Sequence, residues 1–297
     1  MIEGLKVGHR TLQNTGLTVF LLDRHAPCGW WLCGSAPAMC EVNLLDPEAT
    51  VDHIDALLFT GGSAFGLGAA NGVMQWLNEQ ERGYPTRYGG VPIVPAAAIY
   101  DLSKEKSYPV AKDGYEACVH ASTENHLQGA IGAGAGATVG KLLESARPMR
   151  GGIGYSLVES NGIKVLAYAL VNSLGDIVDP QGKIIAGAVK EDGNFAHLEE
   201  SLRRGLTSHL DIPLPNTTLI ALFTNAAFDK SELTRLAKTA VSGMARAIRP
   251  VFTKYDGDAL FFVSLGSKPA DELLVSTLAI HATEQAIRHA VKDSVVL

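Results

Sequence analysis

The sequence contains no cluster of positive charges. Among its 297 residues, 25 Lys and Arg stand against 31 Asp and Glu, which gives a formal net charge of −6. A surface that binds nucleic acid needs a basic patch to neutralise phosphates, and this acidic chain has none. We therefore expect no nucleic-acid partner.

Long hydrophobic runs are also absent. No stretch reaches the roughly 18 consecutive apolar residues expected of a membrane-spanning helix. The first ten residues, MIEGLKVGHR, lack the apolar core of a signal peptide. These absences predict a cytoplasmic protein with no membrane partner.

Cysteine is scarce and histidine is scattered. The four cysteines form no Cys-x-x-Cys pair, and the nine histidines include no His-Glu-x-x-His motif. Disulfide frameworks and metal centres need such ligands at characteristic spacings. We expect the cysteines to be small buried side chains, and we expect no metal.

Glycine, in contrast, is abundant, with 31 residues. The segment GAGAGATVGKL (132–142) resembles a phosphate-binding loop, but Leu142 stands where Ser or Thr is needed and Ala135 where Gly is needed. A nucleotide-binding protein therefore remains only as an alternative. The other interpretation is close approach of backbone segments, which glycine permits.

The hydrophobic pattern alternates strands with helices. Asn161-Gly162 predicts a hairpin turn between two long strands, and residues 180–215 read as a polar surface excursion with a helix near 196–206. Hairpins followed by helices predict mixed sheets covered by helices, in a single domain spanning residues 1–297. The predicted strands are 17–22, 56–59, 151–160, 163–179, 217–224 and 258–265, with an edge strand or irregular segment at 91–102. The other predicted helices are 67–80, 114–122, the end of 129–145, 231–248 and 270–292.

The junction Asn216-Thr217 stands out because it joins a Pro-marked segment to a β-rich run. If the chain were cut there, the α-amine of Thr217 could serve as the base for its own hydroxyl. Asp256 and Asp258 follow in the stretch YDGDALFF, where an i, i+2 spacing places two carboxylates on one face. From spacing alone, a turn with solvated aspartates remains the competing interpretation.

Several blocks, taken together and in order, resemble the DmpA-type peptidase family. This family includes L-aminopeptidase/D-esterases, β-peptidyl aminopeptidases and NylC-type 6-aminohexanoate-oligomer hydrolases. The pattern is most similar to the last group. The blocks are LFTGGSAFGLGAANGVMQWL (58–77), VPIVPAAAIYDL (91–102), GAGAGATVGK (132–141), MRGGIG (149–154) and NTTLIALFTNAAF (216–228).

The resemblance implies an α+β fold, a four-layer αββα sandwich like that of N-terminal-nucleophile hydrolases. It also implies self-cleavage between Asn216 and Thr217, into an α chain 1–216 and a β chain 217–297. Family members assemble as homo-oligomers, usually tetramers of αβ units, and they use no cofactor. The implied substrates are small peptides or oligoamides.

The resemblance also assigns roles to individual residues. Thr217 is the implied nucleophile, Asp256 and Asp258 orient it, and Asn172 stabilises the oxyanion. Tyr100 and Lys141 are the implied residues of the substrate pocket, and Asn225 departs from the Asp that the family commonly has there. An unprocessed, catalytically silent scaffold on the same fold is the alternative function.

Overall fold

The computed structural model describes residues 1–104, 107–143, 145–205 and 216–297. The described strands, in chain order, are β1 (Leu5–Leu12), β2 (Thr15–Ala26), β3 (Cys28–Leu32), β4 (Met39–Cys40), β5 (Ile54–Thr60), β6 (Tyr84–Thr86), β7 (Gly89–Val91), β8 (Ala96–Ala98), β9 (Thr138–Val139), β10 (Met149–Arg150), β11 (Gly152–Ser160), β12 (Ile163–Asn172), β13 (Asp176–Val178), β14 (Ile184–Ala186), β15 (Thr217–Ala226), β16 (Ile248–Arg249) and β17 (Ala259–Lys268).

The described helices are fewer than the described strands. They are α1 (Ser63–Gly66), α2 (Ala70–Glu79), α3 (Ala111–Val119), α4 (Leu198–Arg203), α5 (Lys230–Ala240), α6 (Ser242–Ala247) and α7 (Glu272–Ala290), with 3₁₀ turns at Val42–Leu45, Leu67–Ala69 and Gly132–Gly134. Across the described ranges, none of these helices combines the length and the apolar character required to span a bilayer.

Two five-stranded mixed sheets form the centre of the molecule. The first sheet has the strand order β1-β2-β5-β8-β4, and the second has the order β11-β12-β15-β17-β3. The pairs β5–β8 and β15–β17 are parallel, whereas the other pairs within these two sheets are antiparallel. The prediction of mixed sheets built from hairpins is confirmed, including the β11–β12 hairpin that turns at Asn161-Gly162.

Alternation along β12 shows how the layers are stacked. Leu166, Tyr168 and Leu170 pack toward the first sheet, while Val165, Ala167, Ala169 and Val171 pack against the helices on the other side. Successive side chains of a strand point to opposite faces, so a strand buried on both faces is apolar throughout.

Helices cover the outer face of each sheet. Residues of α5, α6 and α7 share a core with the outward side chains of β12 and β15. Residues of α2 and α3 share another core with β2 and β5. The layer order is therefore helix, sheet, sheet, helix, which confirms the expected four-layer αββα sandwich.

Aromatic rings fill the space between the two sheets. Phe20 of the first sheet lies 4.9 Å from Tyr168 and 5.4 Å from Phe223 of the second sheet, measured between ring centroids. Phe59 meets Phe20 edge to face at 5.4 Å. Tilted and edge-on pairs at these distances add attraction beyond the area they bury.

The glycine-rich segment does not end in a helix, contrary to the expectation for 129–145. It forms a 3₁₀ turn and the short strand β9, with no helix among its described residues. A Cβ at Gly134 would lie 2.4 Å from the Ile153 nitrogen, and one at Gly136 would lie 2.2 Å from the Asn14 oxygen. The interpretation of these glycines as sites of close backbone approach is confirmed.

Other boundaries also differ from the sequence-based expectation. In the segment 91–102, Ala96–Ala98 form β8, which lies inside the first sheet between β5 and β4 and not at its edge. Residues 92–95 and 99–102 form neither helix nor strand, as the alternative of an irregular segment predicted. The strand expected at 163–179 is two strands, because the chain turns sharply at Gly175 against the Pro250 carbonyl. The single helix expected at 231–248 is two helices, α5 and α6, which are separated at Val241. The second ends at Ala247 because Ile248 and Arg249 pair with β13 as strand β16.

The polar excursion is only partly described. Its helix α4 is shorter than expected, and its Leu198 is buried in a small core with Leu142, Leu174 and Ala188. The last part, 206–215, which includes the Pro-marked segment before the junction, lies outside the described residues.

The layer contact between β11 and α7 gives a direct test of the fold. A Cβ at Gly154 would lie 2.3 Å from both the Ala286 oxygen and the Ala290 nitrogen. Gly154→Ala should therefore reduce the free energy of unfolding by about 1–3 kcal/mol, measured by urea denaturation. Gly68→Ala is the matched control, because nothing lies within 4 Å of its Cβ position. Equal stability of the two variants would contradict the packing described here.

Candidate active site

The first residue of β15 lies between the two sheets. Thr217 pairs with Asn172, the last residue of β12. Directly opposite residues of an antiparallel pair share one face, so both side chains lie on the same side of the sheet. Leu219 and Ala221 continue that face and pack toward the first sheet, which places Thr217 at the end of the inter-sheet space. Thr218 alternates to the face that the helices cover.

The carbonyl group before Thr217 is held from two sides. In the continuous chain, the Thr217 hydroxyl donates a hydrogen bond to the Asn216 oxygen at 2.5 Å. The backbone N–H of Gly257 donates to the same oxygen at 2.7 Å. Asn216 N–H donates to the Tyr255 oxygen at 3.1 Å, so residue 216 pairs with 255–257 like a strand residue. Both Asn216 and Thr217 are buried.

The two aspartates of the DGD stretch are buried beside this junction. Asp256 and Asp258 are each 2% exposed, so the interpretation as a turn with solvated aspartates is wrong. Asp258 accepts hydrogen bonds from Thr218 N–H at 2.5 Å and from Phe252 N–H at 3.4 Å. Asp256 accepts one from Thr253 N–H at 2.7 Å. The backbone thus fixes both carboxyl groups.

Burial changes the proton affinity of these carboxyl groups. It raises the pKa of Asp256, and it raises the pKa of Asp258 further because the negative charge of Asp256 adds to the effect. The positive charge of Lys141 opposes both changes. Burial lowers the pKa of Lys141 to about 7, although Asp256, Asp101 and Asp258 all favour its charged form. Lys141 can therefore exchange a proton near neutral pH.

A loop after β3 clamps the DGD stretch. Cys33 N–H and Gly34 N–H donate to the backbone carbonyl oxygen of Asp258 at 2.8 and 3.0 Å. Ala36 N–H donates to the backbone carbonyl oxygen of Asp256 at 2.9 Å. A Cβ at Gly34 would lie 2.1 Å from that Asp256 oxygen. Sequence analysis missed this loop, because only folding brings residues 33–36 next to 256–258.

The side chain of Asn172 has a fixed orientation. Its Oδ1 accepts from the Lys141 ammonium at 2.7 Å and from Thr138 N–H at 3.0 Å. Its Nδ2 donates to the Tyr100 backbone oxygen at 3.1 Å. Lys141 also donates to the Asn172 backbone oxygen at 3.0 Å. Since donors occupy the oxygen end, the amide presents its nitrogen as a donor on the opposite side.

Tyr100 and Lys141 therefore lie at the site, but they contact it in different ways. Lys141 uses its side chain, whereas Tyr100 contributes its backbone carbonyl and is 39% exposed as a residue. Thr138 was not anticipated, although it stands in the same glycine-rich block as Lys141.

Asp101, which follows Tyr100, was also not anticipated. It accepts a hydrogen bond from Gly62 N–H at 2.6 Å, and burial raises its pKa to about 6. Its Oδ2 lies 2.3 Å from where a Cβ of Gly61 would be and 2.5 Å from where a Cβ of Gly136 would be. One carboxyl group thus occupies the side-chain space of both glycine-rich segments, and neither glycine could be replaced without moving it.

Asn225, where the family resemblance leads one to expect Asp, lies at the far end of β15. Its Oδ1 accepts from Lys164 N–H at 2.8 Å, and its Nδ2 donates to the Gly162 oxygen at 3.0 Å. An ionised Asp has no donor for the second bond. The amide therefore anchors the β11–β12 hairpin, and it is not part of the site.

Solved structures show the same fold. A structure of the L-aminopeptidase D-Ala-esterase/amidase from Ochrobactrum anthropi, described as a variant of the Ntn hydrolase fold, superimposes with a TM-score of 0.73 over 98% of this chain and 84% of that chain, at 17% identity. A Burkholderia sp. beta-aminopeptidase superimposes with a TM-score of 0.71, covering 98% of this chain and 84% of that one, at 18% identity. The fold of this chain is therefore this variant of the Ntn hydrolase fold.

The sequence identifies the family within this fold to which the chain belongs. The model of peptidase family S58 matches residues 2–297, and the chain belongs to that family of hydrolases. It is 36% identical over 291 residues to an uncharacterized aminopeptidase of Mycobacterium leprae, covering 91% of this chain and 78% of the relative. It is 32% identical over 218 residues to a 6-aminohexanoate-oligomer endohydrolase of Kocuria sp., covering 72% of this chain and 61% of the relative.

The clamp on the DGD stretch generates a prediction. Gly34→Ala should displace the Asp256 carbonyl and reduce kcat at least about tenfold, because misplacement by about 1 Å can cost about 100-fold. The measurement is hydrolysis of amino-acid p-nitroanilides and of 6-aminohexanoate oligomers. Gly68→Ala, which meets open space, should keep full activity. A fully active Gly34→Ala enzyme would show that the clamp does not set the geometry of the site.

Proposed function

We propose that this chain cuts itself between Asn216 and Thr217 and then uses Thr217 as an N-terminal nucleophile against linear amides. The products are a chain of residues 1–216 and a chain of residues 217–297. The observation that carries the proposal is the Thr217 hydroxyl, which lies 2.5 Å from the Asn216 carbonyl oxygen, beside two buried carboxyl groups.

The face of the strand favours Thr217 over its neighbour. Thr217 shares its face with Asn172, whereas Thr218 points to the helix layer. Only Thr217 combines a hydroxyl on the preceding carbonyl with an amide donor on the same face. The order of the two threonines in the sequence does not distinguish them, and the register of β15 supports Thr217.

The mature site performs acyl transfer in two steps. The free α-amine of Thr217, with an ordinary pKa of about 7.7–8.0, takes the hydroxyl proton as Oγ bonds to the substrate carbonyl carbon. Asn172 donates to the oxyanion, and Asp256 and Asp258 orient the hydroxyl and the ammonium. The leaving amine takes the proton, and water then hydrolyses the ester, which restores Thr217. Tyr100 and Lys141 line the pocket beside Asn172, and the chemistry requires no cofactor.

The substrate class follows from the relatives. Their names describe aminopeptidases in mycobacteria and endohydrolases of 6-aminohexanoate oligomers in Kocuria and Agromyces. We propose short peptides with a free amino end, or linear ω-amino-acid oligomers, as substrates. The proposed assembly is a homo-oligomer, a tetramer of αβ units.

The alternative is an unprocessed and catalytically silent scaffold on the same fold. Burial of two carboxyl groups and a lysine weighs against it, because such burial is costly unless the groups serve a purpose.

Intact-mass measurement of the purified protein tests the proposal. Wild type should give fragments of 216 and 81 residues, since 297 − 216 = 81, and the small fragment should begin Thr-Thr-Leu-Ile. Thr217→Ala should remain one chain without activity toward p-nitroanilides or 6-aminohexanoate oligomers. Thr217→Ser, which keeps a hydroxyl, should be cut.

Thr218→Val is the matched control, since it keeps shape and burial at the adjacent position, and it should be cut and active. If wild type stays intact while Thr217→Ala matches it in every assay, the scaffold alternative is correct. Cleavage of Thr217→Ala would exclude Thr217 as the nucleophile.

The pH dependence of self-cleavage reports on the aspartates. In the uncut chain Thr217 nitrogen is an amide, so no α-amine titrates there. We propose that a carboxylate of the aspartate pair takes the hydroxyl proton, and burial raises the pKa of both aspartates. The rate should therefore fall as pH drops through a midpoint above about 4, the value of an ordinary Asp.

The measurement is a pH jump after cell-free synthesis, followed by gel analysis of cutting. Asp256→Asn removes the charge that helps to raise the pKa of Asp258, so any remaining cleavage should show a midpoint at lower pH. A midpoint at or below 4 in wild type would rule out these buried carboxyl groups as the proton acceptors.

A further inference from the structure

The carbonyl oxygen of Asn216 is where negative charge must develop if the Thr217 hydroxyl attacks that carbonyl. The structure already places a donor on it, the Gly257 N–H at 2.7 Å. The donor comes from the backbone between Asp256 and Asp258, and the Asn216–Asp256 bridge holds it in register. A donor fixed before the reaction needs no rearrangement when the charge appears.

Asn172, the proposed oxyanion donor for substrates, makes different contacts in the uncut chain. Its Nδ2 donates to the Tyr100 carbonyl at 3.1 Å, and its Oδ1 is held by Lys141 and Thr138. The two donors thus act on different carbonyl groups. Gly257 N–H meets the carbonyl of Asn216, whereas Asn172 Nδ2 meets the carbonyl of Tyr100.

The absence of a side chain at 257 supports this role. A Cβ there would lie 2.9 Å from the Thr217 Oγ and 2.7 Å from the Ala36 oxygen. Any larger residue would push the nucleophile away or open the clamp formed by residues 33–36. Glycine allows the backbone N–H and the hydroxyl to meet at one carbonyl group.

We infer that the backbone N–H of Gly257 is the oxyanion donor for self-cleavage, and that Asn172 is the donor for substrate hydrolysis. This inference rests on the proposed self-cleavage. One nucleophile would then serve two reactions with two separate oxyanion sites.

The hydroxyl proton of Thr217 passes to a carboxylate of the aspartate pair, Oγ bonds to the Asn216 carbon, and the carbonyl electron pair moves to the oxygen beside Gly257 N–H. Collapse breaks the bond between that carbon and the Thr217 nitrogen, which takes up the proton. Water then cleaves the resulting ester and leaves a carboxylate on Asn216 and a free amine and hydroxyl on Thr217.

Replacing one backbone amide by an ester tests the donor without adding a side chain. Glycolic acid at position 257, introduced by nonsense suppression during cell-free synthesis of the full chain, removes the N–H. The same change weakens the Asp256 carbonyl that accepts from Ala36 N–H. Lactic acid at position 36 is therefore the matched control, because it removes that same bond from the other side.

The 257 ester should cut itself at least about 100-fold more slowly than the 36 ester, the usual cost of one lost oxyanion donor. Limited proteolysis of both chains reports whether they fold. Equal cutting rates of the two esters, in a background where wild type is cut, would overturn the inference and leave the proposed function standing. Wild type that stays intact would instead overturn the proposed function, and this inference with it.

Asn172 provides an independent test if the 257 ester fails to fold. Asn172→Asp keeps an oxygen for Lys141 and Thr138 but loses the Nδ2 donor, and Asn172→Ala loses both. In both variants we expect turnover of p-nitroanilides or 6-aminohexanoate oligomers to fall at least tenfold more than self-cleavage does. Equal losses in the two reactions would show that one oxyanion site serves both, against the inference.

Discussion

The pairing of β15 on both of its edges is the constraint on which the site depends. On one side Thr217 pairs with Asn172, and on the other Asn216 pairs with Asp256. These two contacts bring the hydroxyl, the amide and the acidic stretch to one point. A shift of one residue in this strand would turn the Thr217 side chain toward the helices, because side chains alternate with a period of two. Such a shift would also exchange the two sets of buried side chains, Leu219, Ala221 and Phe223 toward the first sheet and Ile220 and Leu222 toward the helices, whose sizes fit different cores.

The balance between the buried acids and the buried lysine is the second condition on which the site depends. Three carboxyl groups, those of Asp101, Asp256 and Asp258, act on one ammonium group, that of Lys141. Full ionisation of all four would leave excess negative charge among buried groups. Burial therefore raises the pKa of each acid, and the charge of Asp256 raises that of Asp258 further. Hydrogen bonds from Gly62, Thr218 and Thr253 partly offset this cost. Backbone N–H donors therefore stabilise the carboxyl groups of the site together with the Lys141 ammonium group.

Local pattern was enough to predict the hairpin at Asn161-Gly162, the helices after β15 and β17, and the alternation that leads to mixed sheets. The family resemblance predicted that Asn172, Thr217 and the two aspartates belong to one site, and in the structure they lie together. The sequence did not predict contacts between residues far apart in the chain. Examples are the close approach of Gly34 to the Asp256 carbonyl and the packing of the Asp101 carboxyl group against Gly61 and Gly136. Local propensity does not distinguish Thr217 from Thr218, because both are β-branched hydroxyl residues; the family resemblance favoured Thr217, and the register of β15 adds a physical argument for it.

The second sheet draws β11, β12 and β3 from before the junction and β15 and β17 from after it, and the later strands lie between the earlier ones. With the junction intact, reaching this arrangement is a unimolecular process. With it cut, the same sheet joins two chains, and unfolding also becomes dissociation. Stability then depends on protein concentration, and recovery after denaturation requires two partners to meet. The interleaved strand order would thus make folding before the cut easier than refolding after it. The peptide bond that keeps the two parts together during folding is absent from the finished protein.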